Sequence, residues 1–290
     1  MTPETVSLNE KIYLFKGKMF KFDIFLVNFC NLNCKWCSRW CNVVKRRQIY
    51  KIEDVVKDTL CILDKHIKLD AIGLSGGEPL LHPDIVELLR FIGECKLKYK
   101  IKYLSIQTNC KRLLKMPDEF FSLLRKYNIE VNYTRYPEES GINYNEAFKR
   151  LHDEQIRYVN TQKRFGESED FIRNKFIMEQ LDFTKNIKNI ERKCISCPRS
   201  CPSLWQGKIY KCANLPFIDT LNDFCNTDFK AVNDSDYIQV ENVTDINQLF
   251  HMYSTTSSFE KTCQYYKFTW TPWSIGKNTK DELVIGYKQV

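Results

Sequence analysis

The feature that most constrains this chain is a group of three cysteines within eight residues, Cys30-Asn31-Leu32-Asn33-Cys34-Lys35-Trp36-Cys37. The group directly follows the stretch Phe22–Val27, whose nearly continuous branched and aromatic residues predict a buried strand. The cysteines therefore lie in a loop at the end of a strand, which can bring three sulfurs around one point. Thiolates hold iron-sulfur clusters, and each iron normally takes one cysteine, so three thiolates on a four-iron cluster leave one iron open.

A structural zinc site is the alternative at this loop. Cys41 adds a fourth thiol shortly after Cys37, and structural zinc takes four ligands. The spacing of the cysteines leaves both possibilities open.

The spacing, with an aromatic residue just before the last cysteine, resembles the signature of the radical S-adenosylmethionine (radical SAM) superfamily. The resemblance implies that Cys30, Cys34 and Cys37 bind a [4Fe–4S] cluster and that Trp36 lies near the adenine of S-adenosylmethionine. In this family the open iron chelates the amino and carboxylate groups of S-adenosylmethionine. An electron from the cluster then cleaves the sulfonium to give a 5′-deoxyadenosyl radical, which implies an external one-electron reductant of the flavodoxin or ferredoxin type.

A second motif, Ser75-Gly76-Gly77-Glu78-Pro79, follows the second predicted strand. Consecutive glycines let the backbone approach a ligand closely and adopt positive φ, and the proline fixes the exit. An ordinary strand-to-helix turn would also contain glycine. The stretch resembles the Gly-Gly-Glu-Pro motif of the same family, which implies that this backbone receives the amino group of the methionine moiety.

A third position departs from the family pattern. After the third predicted strand the family often carries Thr-Asn-Gly, whereas this chain has Thr108-Asn109-Cys110. We expect Asn109 to bind the cofactor or the substrate. Cys110 is either a buried small hydrophobic residue or a hydrogen-atom donor to a substrate radical, a role that suits an epimerase. Arg135, after the fourth predicted strand, either pairs with the methionine carboxylate or lies on the surface.

Strands and helices alternate through the first 160 residues. This alternation predicts βαβ units, a parallel sheet and right-handed crossovers. Five or six units are visible, fewer than the eight of a closed barrel, so we expect an α/β fold of the open, partial (β/α)6-type TIM barrel, which the resemblance also implies. Sites in such folds lie at the carboxyl ends of the strands, where the cysteine loop is placed.

The composition changes near residue 193, and we divide the chain into residues 1–192 and 193–290. The second part is rich in cysteine and contains a predicted hairpin that turns at Gln206-Gly207. It resembles the SPASM and twitch domains of the same superfamily, although Tyr266 stands where that family tends to have the last cysteine of a pair. The resemblance implies a second, auxiliary [4Fe–4S] cluster, and zinc is the alternative at this site. Four of five cysteines would hold it: Cys194, Cys197, Cys201, Cys212 and Cys263.

Composition excludes several classes of function. The chain has no window of eighteen uninterrupted apolar residues and no N-terminal signal pattern, so we expect neither a membrane protein nor a secreted one. Thirteen cysteines in a cytoplasmic protein are more typical of metal ligands and buried thiols than of disulfides. The net charge of +8 is modest and spread along the chain, which argues against nucleic-acid binding.

These features together predict a radical SAM enzyme that abstracts hydrogen from a small molecule, a sugar or aminocyclitol derivative, in a dehydrogenation or an epimerisation. The auxiliary cluster would accept the electron left after hydrogen abstraction. Two alternatives remain, namely a radical SAM enzyme that modifies peptides or activates another protein, and a non-enzymatic zinc-binding protein.

Overall fold

The computed structural model describes residues 21–65, 67, 69–161, 202–245, 248, 252 and 273–285, together with the backbone of residues 176–182 and 266–271. Its strands are Lys21–Phe25 (β1), Ala71–Ser75 (β2), Tyr103–Thr108 (β3), Ile129–Tyr133 (β4), Tyr158–Asn160 (β5), Phe176–Asp182 (β6), Ser203–Trp205 (β7), Lys208–Tyr210 (β8), Tyr237–Gln239 (β9), Tyr266–Thr271 (β10) and Val284–Ile285 (β11). Its α-helices are Ile52–Leu63 (α1), Ile85–Tyr99 (α2), Asp118–Lys126 (α3), Tyr144–Asp153 (α4), Ile218–Cys225 (α5) and Lys280–Leu283 (α6).

The main sheet has eight strands in the order β5-β4-β3-β2-β1-β7-β8-β9. Strands β1 to β5 and β7 run parallel, while β8 and β9 are antiparallel to their neighbours. The predicted α/β fold with a mostly parallel sheet is therefore confirmed. A second sheet has three strands in the order β10-β6-β11.

Helix α2 shows why the sequence folds this way. Four of its apolar residues recur at helical spacing and are buried: Ile85, Leu88, Leu89 and Ile92. A helix with one apolar stripe must cover a hydrophobic surface, and a strand on each side along the chain supplies that surface in a βαβ unit. The same alternation orders β1 to β5 and brings their carboxyl ends to one edge of the sheet.

The hairpin predicted at Gln206-Gly207 is confirmed as β7 and β8. Both turn residues have positive φ, 47° for Gln206 and 76° for Gly207, as a two-residue turn that follows the twist of the strands requires. Strand β7 then pairs in parallel with β1, so the hairpin extends the main sheet. The boundary between residues 192 and 193 lies outside the described residues.

Aromatic packing fixes the hairpin against β1. Trp205 makes edge contacts with the rings of Tyr50 and Phe217, and Phe217 stacks on Phe25 at the end of β1. The hydroxyl of Tyr50 accepts a hydrogen bond of 3.2 Å from the backbone N–H of Gly207. In the described part of the chain no helix is long and apolar enough to cross a bilayer.

Candidate active site

The three motif cysteines lie together in the loop that follows β1. Cys34 is buried, and Cys30 and Cys37 are half-buried. Burial raises the pKa of Cys34 to about 12, with a further increase from the charge of Cys37. Burial likewise raises the pKa of Cys30, and the charges of Cys37 and Cys34 add to this effect. All three thiols belong to the single loop that follows β1.

The fourth thiol of this region belongs to Cys41. A hydrogen bond joins the thiols of Cys37 and Cys41, which lowers the pKa of Cys37 and raises that of Cys41. Cys37 is therefore the member of the pair that is more readily the thiolate, the form that binds metal. Within the described ranges, no three metal-ligating side chains are close enough together to hold a single metal ion.

The donors around Cys30 test whether these residues fit an iron-sulfur cluster. The Cys30 Sγ accepts from the backbone N–H of Leu32 at 3.3 Å and from Nδ2 of Asn109 at 3.4 Å. Hydrogen bonds to the ligand sulfurs are among the features that set the potential of iron-sulfur clusters. Three thiols on one loop, with N–H donors already directed at one of them, fit a [4Fe–4S] cluster.

The glycine loop after β2 packs directly on the start of the cysteine loop. The N–H of Gly77 donates to the carbonyl of Val27 at 2.7 Å, and the N–H of Glu78 donates to the carbonyl of Phe29 at 3.0 Å. A Cβ added at Gly77 would lie 2.0 Å from the carbonyl oxygen of Phe29. The close approach expected of these glycines therefore occurs, and in this structure it is to the backbone that leads into Cys30. Pro79 then opens a short 3-10 turn, Pro79–Leu81.

Arg39 joins the two loops. Its Nη1 donates to the carbonyl of Gly76 at 2.7 Å, and its guanidinium lies 4.7 Å from the ring centre of Phe25. Its charge also lowers the pKa of Cys37. Arg39 belongs to none of the motifs, and its spacing carries no signal that would single it out.

Glu78 ties the glycine loop to the end of β3. Its carboxylate is 1% exposed and accepts three hydrogen bonds, from Leu80 N at 3.1 Å, Thr108 Oγ1 at 2.7 Å and Asn109 N at 2.8 Å. Burial raises its pKa to about 7, although these hydrogen bonds act in the opposite direction. A role of Glu78 in binding the cofactor stays a prediction, because each of these contacts is within the protein.

Asn109 and Cys110 follow β3 and lie on different sides of the backbone. The Nδ2 of Asn109 reaches Cys30 and donates to Asn31 Oδ1 at 2.8 Å, which places this amide at the cysteine loop. Cys110 is 3% exposed and has φ of 66°, a conformation that glycine adopts without strain. The position thus keeps the backbone geometry of Thr-Asn-Gly with a buried thiol in place of the glycine. This burial agrees with the hydrophobic role, and the donor role stays a hypothesis.

Two residues that follow β4, Arg135 and Tyr136, have different surroundings. The guanidinium of Arg135 lies 5.8 Å from the ring centre of Tyr144. The pKa of Tyr136 is raised by burial, and the charges of Cys34, Cys30 and Cys37 act in the same direction. Tyr136 was not predicted from the sequence, because a single tyrosine after a strand has no distinguishing spacing.

Trp36 is buried, and its backbone has φ of 64°. Its N–H donates to Oδ1 of Asn278 at 2.9 Å. The predicted contact of its ring with adenine remains a prediction.

A polar cavity of about 60 Å³ lies on the sheet and is lined by Lys21, Asp23, Gly73, Leu74, Ser105, Gln107, Asn132 and Thr161. Within it, Lys21 and Asp23 form an ion pair at 3.1 Å. Ser75 Oγ donates to Gln107 Oε1 at 3.0 Å. Side chains two residues apart on a strand point to the same face, so Ser105 and Gln107 lie on one face of β3, and Asn109 follows the end of this strand. The alternation of polar and apolar residues in β3 was a signal for this lining that motif reading missed.

Of the predicted ligands of the auxiliary cluster, only Cys212 lies among the described residues. Cys194, Cys197, Cys201 and Cys263 lie outside the described residues. Cys212 follows β8, is half-buried and packs against the hydrophobic core. Their grouping around one cluster stays a prediction.

The comparison with protein families agrees with this geometry. Residues 24–158 match the family model described as Radical SAM superfamily. This part of the chain runs from the end of β1 to the start of β5 and includes the cysteine loop and the glycine loop, and it matches a radical SAM superfamily domain. The family predicted from the motifs is confirmed for these residues.

Individual relatives have low sequence identity to this chain. GTP 3′,8-cyclase of Cyanothece sp. (strain PCC 7425 / ATCC 29141) is 28% identical over 114 residues, 38% of this chain, and the match spans only 33% of that protein. The solved structure of native anSMEcpe with bound AdoMet has a TM-score of 0.50 at 14% identity and covers 79% of this chain and 80% of its own. The form of anSMEcpe with bound AdoMet and Cp18Cys peptide gives 0.51 at 14% identity, over 82% and 84% of the two chains. At such identities these structures establish a shared fold.

Proposed function

We propose that this chain reductively cleaves S-adenosylmethionine and abstracts a hydrogen atom from a small polar substrate, a sugar or aminocyclitol derivative, in a dehydrogenation or an epimerisation. Cys30, Cys34 and Cys37 would hold the [4Fe–4S] cluster, and a partial (β/α)6-type TIM barrel would hold the substrate. When bound, the cluster and S-adenosylmethionine supply the 5′-deoxyadenosyl radical. The protein's own part is to bind and orient the substrate and to exclude water.

The observation that carries this proposal is the polar lining of the sheet. Gln107, Ser105 and Asn132 supply hydroxyl and amide groups, and the Lys21–Asp23 pair supplies charged ones. A hydroxylated ring needs donors and acceptors on several sides, and a few convergent polar groups in a cavity fix the orientation of such a ligand. The lining residues lie on β1 to β4, and the cysteine loop and the glycine loop follow β1 and β2. A substrate on these groups would therefore lie on the strands that lead into the cofactor site.

Other residues would complete the site. Gly76, Gly77 and Pro79 would place the loop that receives the methionine amino group, with Glu78 holding that loop against β3. Trp36 would lie near the adenine, and Arg135 would pair with the methionine carboxylate. Cys110 would return hydrogen to the substrate if the reaction is an epimerisation, although its burial supports the core role better.

The cysteine-rich part of the chain would complete the electron path. Four of Cys194, Cys197, Cys201, Cys212 and Cys263 would hold the auxiliary [4Fe–4S] cluster of a SPASM- or twitch-like domain. That cluster would accept the electron left on the substrate, which makes a dehydrogenation a net two-electron oxidation. A reductant of the flavodoxin or ferredoxin type would supply the electron that starts each turnover.

The experiment is deuterium transfer into 5′-deoxyadenosine, measured by mass spectrometry with anaerobically reconstituted protein and deuterated sugars, aminocyclitols and peptides. We expect label from a sugar or aminocyclitol. With that substrate, Gln107→Ala should lower kcat/KM at least about tenfold, the effect of losing roughly 1.4 kcal/mol of hydrogen bonding. The matched control is Tyr103→Phe, an exposed residue of the same strand, which should change little. Label from peptides alone, or an unchanged kcat/KM in Gln107→Ala, would contradict the proposed substrate class.

A further inference from the structure

Residues 273–282, the C-terminal strap, lie across the cysteine loop although some 240 residues separate them in sequence. The strap and the loop are joined by backbone hydrogen bonds on both sides of Cys34. Lys35 N donates to Ser274 O at 2.9 Å, and Gly276 N donates to Asn33 O at 2.7 Å. Cys34 itself forms an antiparallel bridge with Ile275. The loop around Cys34 is thus paired like one strand of a short ribbon.

Asn278 adds a buried side-chain link to this ribbon. It is 3% exposed, and its Oδ1 accepts from the backbone N–H of Trp36 at 2.9 Å and from Nδ2 of Asn42 at 2.8 Å. Both donors lie close in sequence to Cys37. Loss of the Asn278 oxygen would leave the backbone N–H of Trp36 without this acceptor, which is expensive in a folded protein, whereas Asn42 Nδ2 would keep the carbonyl of Gly276 at 3.2 Å.

The end of the strap is anchored as well. Glu282 pairs with Lys35 at 2.5 Å. Its backbone N–H and carboxylate also form a capping box with Thr279 at the start of α6. The strap is therefore tied to the residue that follows Cys34 and is internally fixed.

Trp273 brings a hydrogen-bond donor to the sulfur itself. Its indole Nε1 is buried and has no hydrogen-bond partner of ordinary geometry among the described residues. It lies beside the Cys34 sulfur, as the backbone bridge between Cys34 and Ile275 requires of a residue two positions earlier. The indole ring also packs on Tyr136, with ring centres 5.8 Å apart. A buried N–H without a partner is costly, and a thiolate sulfur bound to iron is an acceptor that would satisfy it.

We propose that the C-terminal strap positions the cysteine loop for cluster binding and that Trp273 donates its indole N–H to the Cys34 sulfur when Cys34 ligates iron. The inference rests on the proposed function, since it concerns the cluster named there. Trp273 is a positioning residue. A hydrogen bond to a ligand sulfur stabilises the more negative, reduced cluster, and so Trp273 raises the reduction potential.

The first test is Trp273→Phe in the full-length, reconstituted protein, which removes the N–H and keeps an aromatic ring. Iron content should stay at the wild-type value, and the midpoint potential, from a redox titration followed by electron paramagnetic resonance, should shift to a more negative value. The N-terminal cluster is recognised by the change in its signal when S-adenosylmethionine is added. Ile275→Ala is the matched control, because this neighbouring side chain is 55% exposed. A potential that shifts no more than in this control would overturn the role of Trp273.

The second test compares Asn278→Ala with Lys277→Ala, a matched control at the neighbouring exposed residue of the strap. We expect the Asn278→Ala variant to lose iron to a chelator at least about threefold faster than wild type, and the Lys277→Ala variant to stay close to wild type. Equal rates in all three proteins would show that the strap only packs on the barrel. If wild-type protein forms no cluster that responds to S-adenosylmethionine, the proposed function itself fails, and this outcome is distinct from failure of the strap.

Discussion

At the scale of single residues, the loop that carries Cys30, Cys34 and Cys37 is surrounded by side chains from other parts of the chain. The ligand role of the three cysteines stays a prediction. Arg39, Tyr136 and Trp273 also reach this region, and none of them could be found from a motif. Their side chains arrive from other loops, and the direction of a side chain depends on a backbone path that local spacing does not determine.

Glu78 gives a pH-dependent prediction at this scale. Its pKa is raised from 4.5 to about 7 by burial, so the folded state binds the proton more tightly than the unfolded state. The stability from this group is fully present below about pH 4.5 and is lost as the pH rises to about 7. The loss amounts to roughly 3 kcal/mol, since one pKa unit corresponds to about 1.4 kcal/mol.

Urea unfolding of cluster-free protein across this pH range measures the effect. Wild type should become less stable between pH 4.5 and 7, and Glu78→Gln should abolish most of that slope because glutamine does not titrate. The control is Glu139→Gln, an exposed glutamate, which should keep the wild-type slope. The account of Glu78 is wrong if its variant and wild type give parallel curves.

At the scale of elements, periodicity predicted the helices and the order of β1 to β5, because amphipathic stripes and βαβ connections are local properties. It did not predict that β7 would pair with β1. A three-residue strand carries almost no pairing information of its own. Its place is set by tertiary packing of Trp205 and Phe217 on Phe25 and Tyr50.

A buried ion pair lies in the connection between β8 and β9, and its removal is expected to lower the stability of the fold. Lys211 Nζ and Asp236 Oδ1 are 4.0 Å apart, with side chains 3% and 0% exposed. Removing one partner breaks this ion pair while the other charge stays buried, and it also removes the acceptor of the Val232 N–H, so Asp236→Ala should lower the free energy of unfolding by about 3–5 kcal/mol. The double variant Lys211→Met with Asp236→Leu should recover most of that loss, as measured by urea denaturation. A double variant no more stable than the single one would show that the pair itself is required.

At the scale of the whole molecule, the candidate site is assembled from both ends of the described chain. The cysteine loop and the glycine loop come from the radical SAM domain, while the strap that pairs with Cys34 comes from residues 273–282. The sequence could not place this segment, because pairing across such a separation leaves no periodic trace. The polar cavity could not be predicted from the sequence either, because its lining depends on the register that aligns β1 to β4.

The central claim is that Cys30, Cys34 and Cys37 hold a four-iron cluster with one iron open to S-adenosylmethionine. The most direct measurement compares anaerobically reconstituted wild type with the Cys30→Ala, Cys34→Ala, Cys37→Ala triple variant for iron, sulfide and zinc content and for 5′-deoxyadenosine formed with dithionite. We predict that the triple variant contains about four fewer irons per chain and forms no 5′-deoxyadenosine, whereas wild type forms it. Zinc in place of iron at this loop of the wild-type protein, or 5′-deoxyadenosine formation by the triple variant, would contradict the account.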